Sequence, residues 1–185
     1  MRAFISYSTK DKKHAAAVRE VLDEINIEAF LAHDDLHVSE EWKKRILVEL
    51  KKCDIFVPLL SEAFKGSECG QETGLVVSRR GVLIIPFSLD GTLPYGFISN
   101  IQGHRISSAG VDKQTILAAV GRKWPSIVIE ALLKPVQFAN SFREAEKVME
   151  PLVPYFAKFS EDQATRLARM AVKNSQIWGS PALPR

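Results

Sequence analysis

Four polar segments of the chain carry side chains that could take part in chemistry, and each follows a short apolar run. They cover residues 7–12, 33–38, 61–69 and 90–102, and together they contain hydroxyl, carboxylate, amine and imidazole groups. In an open sheet of parallel strands, ligands bind outside the carboxyl ends of the strands. If the apolar runs are such strands, the four segments meet at one edge of the sheet and form a site there.

Several common catalytic motifs are absent from the sequence. The first apolar run is not followed by G-x-G-x-x-G, and no G-x-x-x-x-G-K-[ST] occurs, which argues against a dinucleotide-binding Rossmann domain and a P-loop NTPase. There is no G-x-S-x-G nucleophile elbow. A phosphoreceiver domain would carry an acidic pair after its first strand, but Ser6, Tyr7 and Ser8 stand there, and Asp54 begins the third strand rather than following it.

The histidines and cysteines form no recognisable metal motif. They are scattered as His14, His33, His37, His104, Cys53 and Cys69. No pair among them has zinc-ligand spacing, so no metal site is predicted. Two cysteines do not make a disulfide framework, and we expect a protein of the reducing cytoplasm. The first residues lack the long apolar region of a signal peptide, which gives the same expectation.

Composition and charge exclude several classes of protein. The chain has 185 residues, of which 46% are hydrophobic and 25% charged, as in one ordinary globular domain with at most a small appendage. No apolar run approaches the roughly 18 residues that a membrane-spanning helix needs. The net charge of +3 comes from residues 134–185, with 8 basic and 5 acidic residues, and is too small to predict a nucleic-acid partner.

The spacing of apolar residues predicts strands that alternate with helices. Strands are expected over residues 2–6, 27–32, 54–60, 82–89 and near 104–107; the third and fourth are almost continuously apolar, as in strands covered on both faces. Helices are expected over about 12–25, 39–53, 71–79 and 112–120, the second with Ser39 as its capping residue. This alternation predicts a doubly wound α/β fold with a parallel sheet.

The last fifty residues have a different pattern. Residues 134–140 are predicted to be a linker, and residues 141–178 a helical hairpin followed by a tail at 179–185. Two capping boxes support the hairpin: Ser141 is followed three positions later by Glu144, and Ser160 by Gln163.

Several segments, taken in order, resemble the Toll/interleukin-1 receptor (TIR) domain family. They are FISYS at 4–8, FLAHDD at 30–35, SEEW at 39–42, CDIFVPLLS at 53–61, the spaced residues Phe64, Ser67, Cys69 and Glu72, and PYGFI at 94–98. The resemblance covers about residues 1–133, and the last segment is similar to bacterial members. It implies that residues 1–133 form a TIR domain with a flavodoxin-like, doubly wound parallel sheet, and that the hairpin is an appendage.

The resemblance implies one of two functions. Many bacterial, plant and neuronal TIR domains cleave the nicotinamide–ribose bond of NAD, whereas many animal members only self-associate. Glu72 is the one carboxylate at the family's catalytic position, and a carboxylate beside the ribose can oppose the positive charge of an oxocarbenium-like transition state. An exposed helix glutamate is the alternative interpretation of Glu72.

The same resemblance implies seven substrate contacts. They are Ser6, Tyr7, Lys10, Phe30, Asp34, Trp42 and Ser67. The alternatives are turn capping by the serines, core packing by the aromatic side chains and solvent exposure of the charged ones. Asp35 lies beside Asp34 in the same segment, and Cys69 is expected to be a small buried hydrophobe rather than a nucleophile.

The predicted function is that of an NAD glycohydrolase of the bacterial, NAD-cleaving type, acting in antiviral defence signalling. NAD is its substrate, its products are nicotinamide and ADP-ribose or a cyclic ADP-ribose isomer, and no cofactor is predicted. Self-association through TIR contacts is expected, with an effector or sensor protein as a further partner. The alternatives are a non-catalytic TIR scaffold and, third, a nucleoside deoxyribosyltransferase-like enzyme. Three positions depart from the family pattern: Glu68 stands in place of an aromatic residue, Gly70 in place of a larger apolar one, and Val38-Ser39 where a glycine is common before the second helix.

Overall fold

The structure is a computed structural model that describes residues 1–32, 40–106 and 110–183, with residues 40–42 described by their backbone. Within these residues no helix is both long and apolar enough to cross a membrane. The chain divides into two compact units, Met1–Ala119 and Val120–Arg185.

A parallel sheet forms the centre of the first unit. Its strands are β1 (Arg2–Ser6), β2 (Glu28–Leu31), β3 (Ile55–Leu60), β4 (Leu83–Ile84), β5 (Phe87–Ser88) and β6 (His104–Arg105). The strand order is β2-β1-β3-β5-β6, with β4 also paired to β3. Every pair is parallel, and the order reverses at β1, as in a doubly wound sheet. The predicted α/β fold is therefore confirmed.

Apolar residues of neighbouring strands lie side by side in the sheet. Phe4 stands opposite Phe30 on one side and Phe56 on the other, and its ring lies 5.4 Å and 6.0 Å from theirs between centroids. All six residues of β3 are buried, because helices cover both faces of a central parallel strand.

The prediction of one fully buried strand over residues 82–89 is wrong. The structure has two short strands there, with Ile85 and Pro86 between them. Proline has no N–H to donate to a neighbouring strand, so the ladder is interrupted at Pro86. Leu83 and Ile84 are also only half-buried.

Helices flank the sheet of the first unit. They are α1 (Lys12–Glu24), α2 (Glu40–Lys52), α3 (Glu62–Lys65) and α4 (Cys69–Val77), and α5 (Lys113–Lys123) crosses from the first unit into the second. In α1 the buried residues are Ala15, Val18 and Leu22, as their spacing predicts. Ser61 begins α3 and accepts a hydrogen bond from the Phe64 N–H, which satisfies a free donor of the first turn. The start of the second helix at Ser39 lies outside the described residues.

The second unit is helical. It contains α6 (Pro125–Leu133), α7 (Phe142–Met149), α8 (Glu161–Lys173), α9 (Ser175–Trp178) and 3-10 helices at Val136–Phe138 and Glu150–Lys158. Ser160 and Gln163 form the predicted capping box of α8. The segment expected to be a two-helix hairpin has a 3-10 helix between α7 and α8, where Pro151 and Pro154 cannot donate the hydrogen bonds of an α-helix. The division of the chain at residue 133 stays a prediction.

Candidate active site

The carboxyl end of β1 meets the first turns of α4, and this contact brings Glu72 and Ser6 together. Glu72 lies on the buried face of α4, and only 8% of the residue is exposed, which is unusual for a glutamate. Ser6 is the last residue of β1 and is fully buried. Its hydroxyl donates a hydrogen bond to Oε2 of Glu72, with 2.5 Å between the oxygens, although the residues are 66 positions apart in the chain.

Burial changes the acidity of this carboxyl group. Loss of solvent raises the pKa of Glu72 from 4.5 to about 7. The hydrogen bond from Ser6 lowers this pKa, because it stabilises the charged form, and the nearby Glu68 raises it through charge repulsion. Glu72 therefore exchanges its proton near neutral pH. Buried, polarised carboxyl groups of this kind are frequent in catalytic sites.

Glu72 borders a groove between α2 and α4. The groove has a volume of about 160 Å³ and is lined by Lys43, Ile46, Leu47, Leu50, Glu68, Gln71, Glu72 and Leu75. Nζ of Lys43 lies 4.0 Å from a carboxylate oxygen of Glu68, and both side chains are largely exposed. The groove thus has apolar walls, a buried carboxyl group on one side and an exposed ion pair at its rim.

Ser67 and Cys69 make local contacts in the structure, and contact of Ser67 with NAD stays a prediction. The Ser67 hydroxyl donates to the Phe64 carbonyl at 2.7 Å and accepts from the Cys69 N–H at 3.4 Å, so its hydrogen bonds are local. Cys69 packs in an apolar cluster with Leu60, Phe64 and Ile98. Burial raises the pKa of the Cys69 thiol, and the charge of Glu72 raises it further, so the reactive thiolate is disfavoured.

Three of the other predicted contacts occupy different environments. Tyr7 is fully buried next to Ser6 in the chain. Phe30 is half-buried and packs against Phe4. Lys10 is exposed in a 3-10 helix, Thr9–Asp11, that follows β1. Direct contact of these residues with NAD stays a prediction.

The remaining predicted contacts fall in segments that the structure does not describe. Asp34 and Asp35 lie outside the described residues, and so does the side chain of Trp42. Among the residues that the structure does describe, no group of three or more histidine, cysteine, aspartate or glutamate side chains could hold a metal ion.

The sequence analysis did not predict the groove between α2 and α4. Lys43 and Leu47 belong to α2, whereas Gln71 and Leu75 belong to α4. Their spacing of four residues shows that each pair shares one side of its helix. Only the packing of α2 against α4 shows that the two sides face each other.

Fold and site together define a class of protein: a doubly wound α/β domain with a buried carboxyl group at the carboxyl edge of its parallel sheet. Comparison with family models identifies that class more closely. The model of the TIR domain family matches residues 3–118, and the chain therefore belongs to the TIR domain family. A comparison with curated proteins gives no match.

Proposed function

We propose that this TIR domain is an NAD glycohydrolase with Glu72 as its catalytic residue. The observation that carries the proposal is the position of the Glu72 carboxyl group, which is buried, bonded to Ser6 and next to the carboxyl end of β1. TIR domains include NAD-cleaving enzymes, so the family match is compatible with this activity.

The reaction breaks the bond between C1′ of the ribose and the nicotinamide nitrogen. The electron pair of that bond goes to the nitrogen, which loses its positive charge, and an oxocarbenium-like ribose remains. Nicotinamide needs no proton to leave, so a general acid is unnecessary. Water then adds to C1′ and releases a proton, giving ADP-ribose; attack by another group of the same molecule gives a cyclic isomer instead. The Glu72 carboxylate opposes the positive charge that develops on the ribose.

This role requires Glu72 in its charged form. With a pKa of about 7, roughly half of the molecules carry the carboxylate at neutral pH. The cationic nicotinamide ring of bound NAD would stabilise the carboxylate and lower that pKa. Activity should therefore increase as the pH rises from about 6 to about 8.

The groove beside Glu72 supports a divided binding site. Pockets for complete small ligands usually have roughly 300–1,000 Å³, whereas this groove has about 160 Å³. It is suited to the nicotinamide–ribose end of NAD. The rest of the substrate needs residues from outside the described groove, and the TIR resemblance assigns this part to residues 33–39 of a neighbouring molecule.

Nicotinamide release from NAD by wild type and by Glu72→Gln tests the proposal. The amide keeps the size and hydrogen bonding of the side chain but removes its charge. Loss of one well-placed electrostatic group typically lowers turnover about 10²–10³-fold. Glu68→Gln is the matched control, since it removes an exposed carboxylate one turn earlier in the same groove. We expect this control to stay active and, because it removes charge repulsion, to be slightly more active at pH 6.

Thermal melts of the three proteins show whether each is folded. Folded Glu72→Gln that keeps more than about a tenth of wild-type turnover would exclude Glu72 as the catalytic residue. A wild type with no turnover at any protein concentration would exclude the enzyme.

One observation favours a second candidate, a non-catalytic TIR scaffold. Leu47 and Leu75 line opposite sides of the groove and are 42% and 48% exposed. Apolar side chains exposed on two packed helices are typical of a contact surface. In a scaffold, Leu75→Asp would abolish self-association measured by light scattering, and wild type would release no nicotinamide. A defence role with an effector or sensor protein is compatible with either candidate.

A further inference from the structure

We propose that Ser6 is a positioning residue, which fixes the Glu72 carboxylate for catalysis through the hydrogen bond between the two side chains, and not a substrate contact. This inference rests on the proposed function for its catalytic consequence. The geometry is independent of that function: the fully buried Ser6 hydroxyl donates to Oε2 of Glu72 at 2.5 Å.

Ser6 is suited to hold another side chain because its own position is fixed. It ends β1, the strand that pairs with β2 on one side and β3 on the other, and it lies opposite Pro58 of β3. A serine has a single side-chain torsion before its oxygen, whereas a glutamate has three torsions to restrict. The hydrogen bond therefore anchors a flexible carboxylate to a strand that is paired on both sides.

Ser6 also acts on the charge of Glu72. Burial raises the pKa of Glu72 and Glu68 raises it further, whereas the Ser6 hydrogen bond lowers it. A hydroxyl that donates to a carboxylate stabilises the ionised form. Without this donor, Glu72 would be largely protonated at neutral pH and unable to oppose a positive charge.

Other groups beside Glu72 do not replace this donor. Among the described residues, Lys43 of α2 borders the same groove but lies within ion-pair distance of Glu68. Cys69 of α4 is a buried thiol, and β3 carries no titratable side chain. On α3, Glu62 and Lys65 form an ion pair with each other. Loss of the Ser6 hydroxyl should therefore remain uncompensated.

Ser6→Ala is the direct test, and Ser88→Ala is its matched control. Ser88 is another buried serine at the end of a strand, but its hydroxyl accepts from the Gly91 N–H and makes no contact with Glu72. Ser6→Thr keeps the hydroxyl and is the rescue variant. If Ser6→Ala does not fold, Ser6→Cys replaces it, because it has nearly the same size and only a weak donor.

The first measurement is the pH dependence of kcat and KM for NAD. Hydrogen bonds to charged groups are strong enough that losing one should lower kcat at pH 7 about tenfold or more. The midpoint of the pH profile should move upward by about one unit or more, while KM changes little. Ser6→Thr should recover activity, and Ser88→Ala should keep the wild-type midpoint. An unchanged midpoint, or a loss confined to KM, would overturn the inference in favour of a substrate contact.

The second measurement does not need catalysis. Wild type, Ser6→Ala and Ser88→Ala are each paired with a version that also carries Glu72→Gln. The difference in free energy of unfolding within each pair is measured from pH 4 to 9. The pH at which this difference levels off reports the pKa of Glu72 in the folded protein. It should be higher with Ser6→Ala than with wild type and unchanged with Ser88→Ala. This result would show that Ser6 acts on Glu72 even if wild type failed to cleave NAD, so it separates the failure of this inference from that of the proposed function; an identical curve for Ser6→Ala would refute the inference.

Discussion

Glu72 makes the domain less stable at alkaline pH, because its carboxyl group is buried. Its pKa is about 7 in the folded protein and near 4.5 when the carboxyl is solvated. The folded state thus binds more protons than the unfolded state between these values, so stability falls as the pH rises through that range. A shift of this size corresponds to roughly 3 kcal/mol at alkaline pH.

Glu72→Gln should therefore stabilise the protein in a pH-dependent way. At pH 4.5 both side chains are neutral, and we expect similar free energies of unfolding. Above pH 7 the variant should be more stable by up to roughly 3 kcal/mol, because the amide avoids a buried charge. Urea denaturation of both proteins between pH 4.5 and 9 measures the difference. A difference that stays constant with pH would show that Glu72 is not buried as described.

Packing between helices imposes a separate constraint in the second unit. Gly121, near the end of α5, lies against Tyr155 of the 3-10 helix Glu150–Lys158. A Cβ atom at position 121 would come within 2.3 Å of the Tyr155 hydroxyl oxygen and within 2.7 Å of its ring. Only glycine lets the two segments approach this closely without a shift of the tyrosine.

Gly121→Ala should consequently destabilise the protein by about 1–3 kcal/mol through overpacking. Alanine is otherwise the better helix former by roughly 1 kcal/mol. In a Tyr155→Leu background the clash is removed, so the same substitution should become neutral or stabilising. A double-mutant cycle by chemical denaturation measures this coupling. Additive effects of the two substitutions would contradict the close packing.

Secondary structure was predicted well where the pattern of apolar residues is local. The buried stripe of α1 and the continuous apolar run of β3 identify those elements without any knowledge of their partners. The break at Pro86 could also have been inferred, since proline is unfavourable within a central strand. The prediction of one strand over 82–89 gave more weight to hydrophobicity than to the missing N–H donor.

Self-association of the protein should control activity if the enzyme proposal is correct. The described part of the groove has about 160 Å³, so contacts with the rest of NAD come from residues beyond it. A neighbouring molecule could supply the remaining contacts, and the TIR resemblance implicates residues 33–39 in them. Activity per molecule should then rise steeply with protein concentration or crowding.

Charge reversal at Asp34 and Asp35 should reduce this concentration dependence without unfolding the protein. Thermal melts of wild type and the variants show whether each protein is folded. The measurement compares nicotinamide release by wild type and by the variant over a wide dilution series, with light scattering at each concentration. Lys147→Glu on α7 serves as a charge-reversal control in the second unit. A flat activity per molecule in an active preparation would exclude the shared site.

The sequence alone determined the class of fold and the candidate residue. Periodicity depends on neighbours within a few positions, so the alternation of strands and helices could be inferred from it, and the ordered TIR-like segments indicated Glu72. Tertiary structure decided what Glu72 can do. Its burial, its hydrogen bond to a serine 66 positions away and the groove between α2 and α4 all depend on which elements pack together. The acidity of a carboxyl group is set by its exposure to solvent and by the donors around it, and both are decided only when the chain folds.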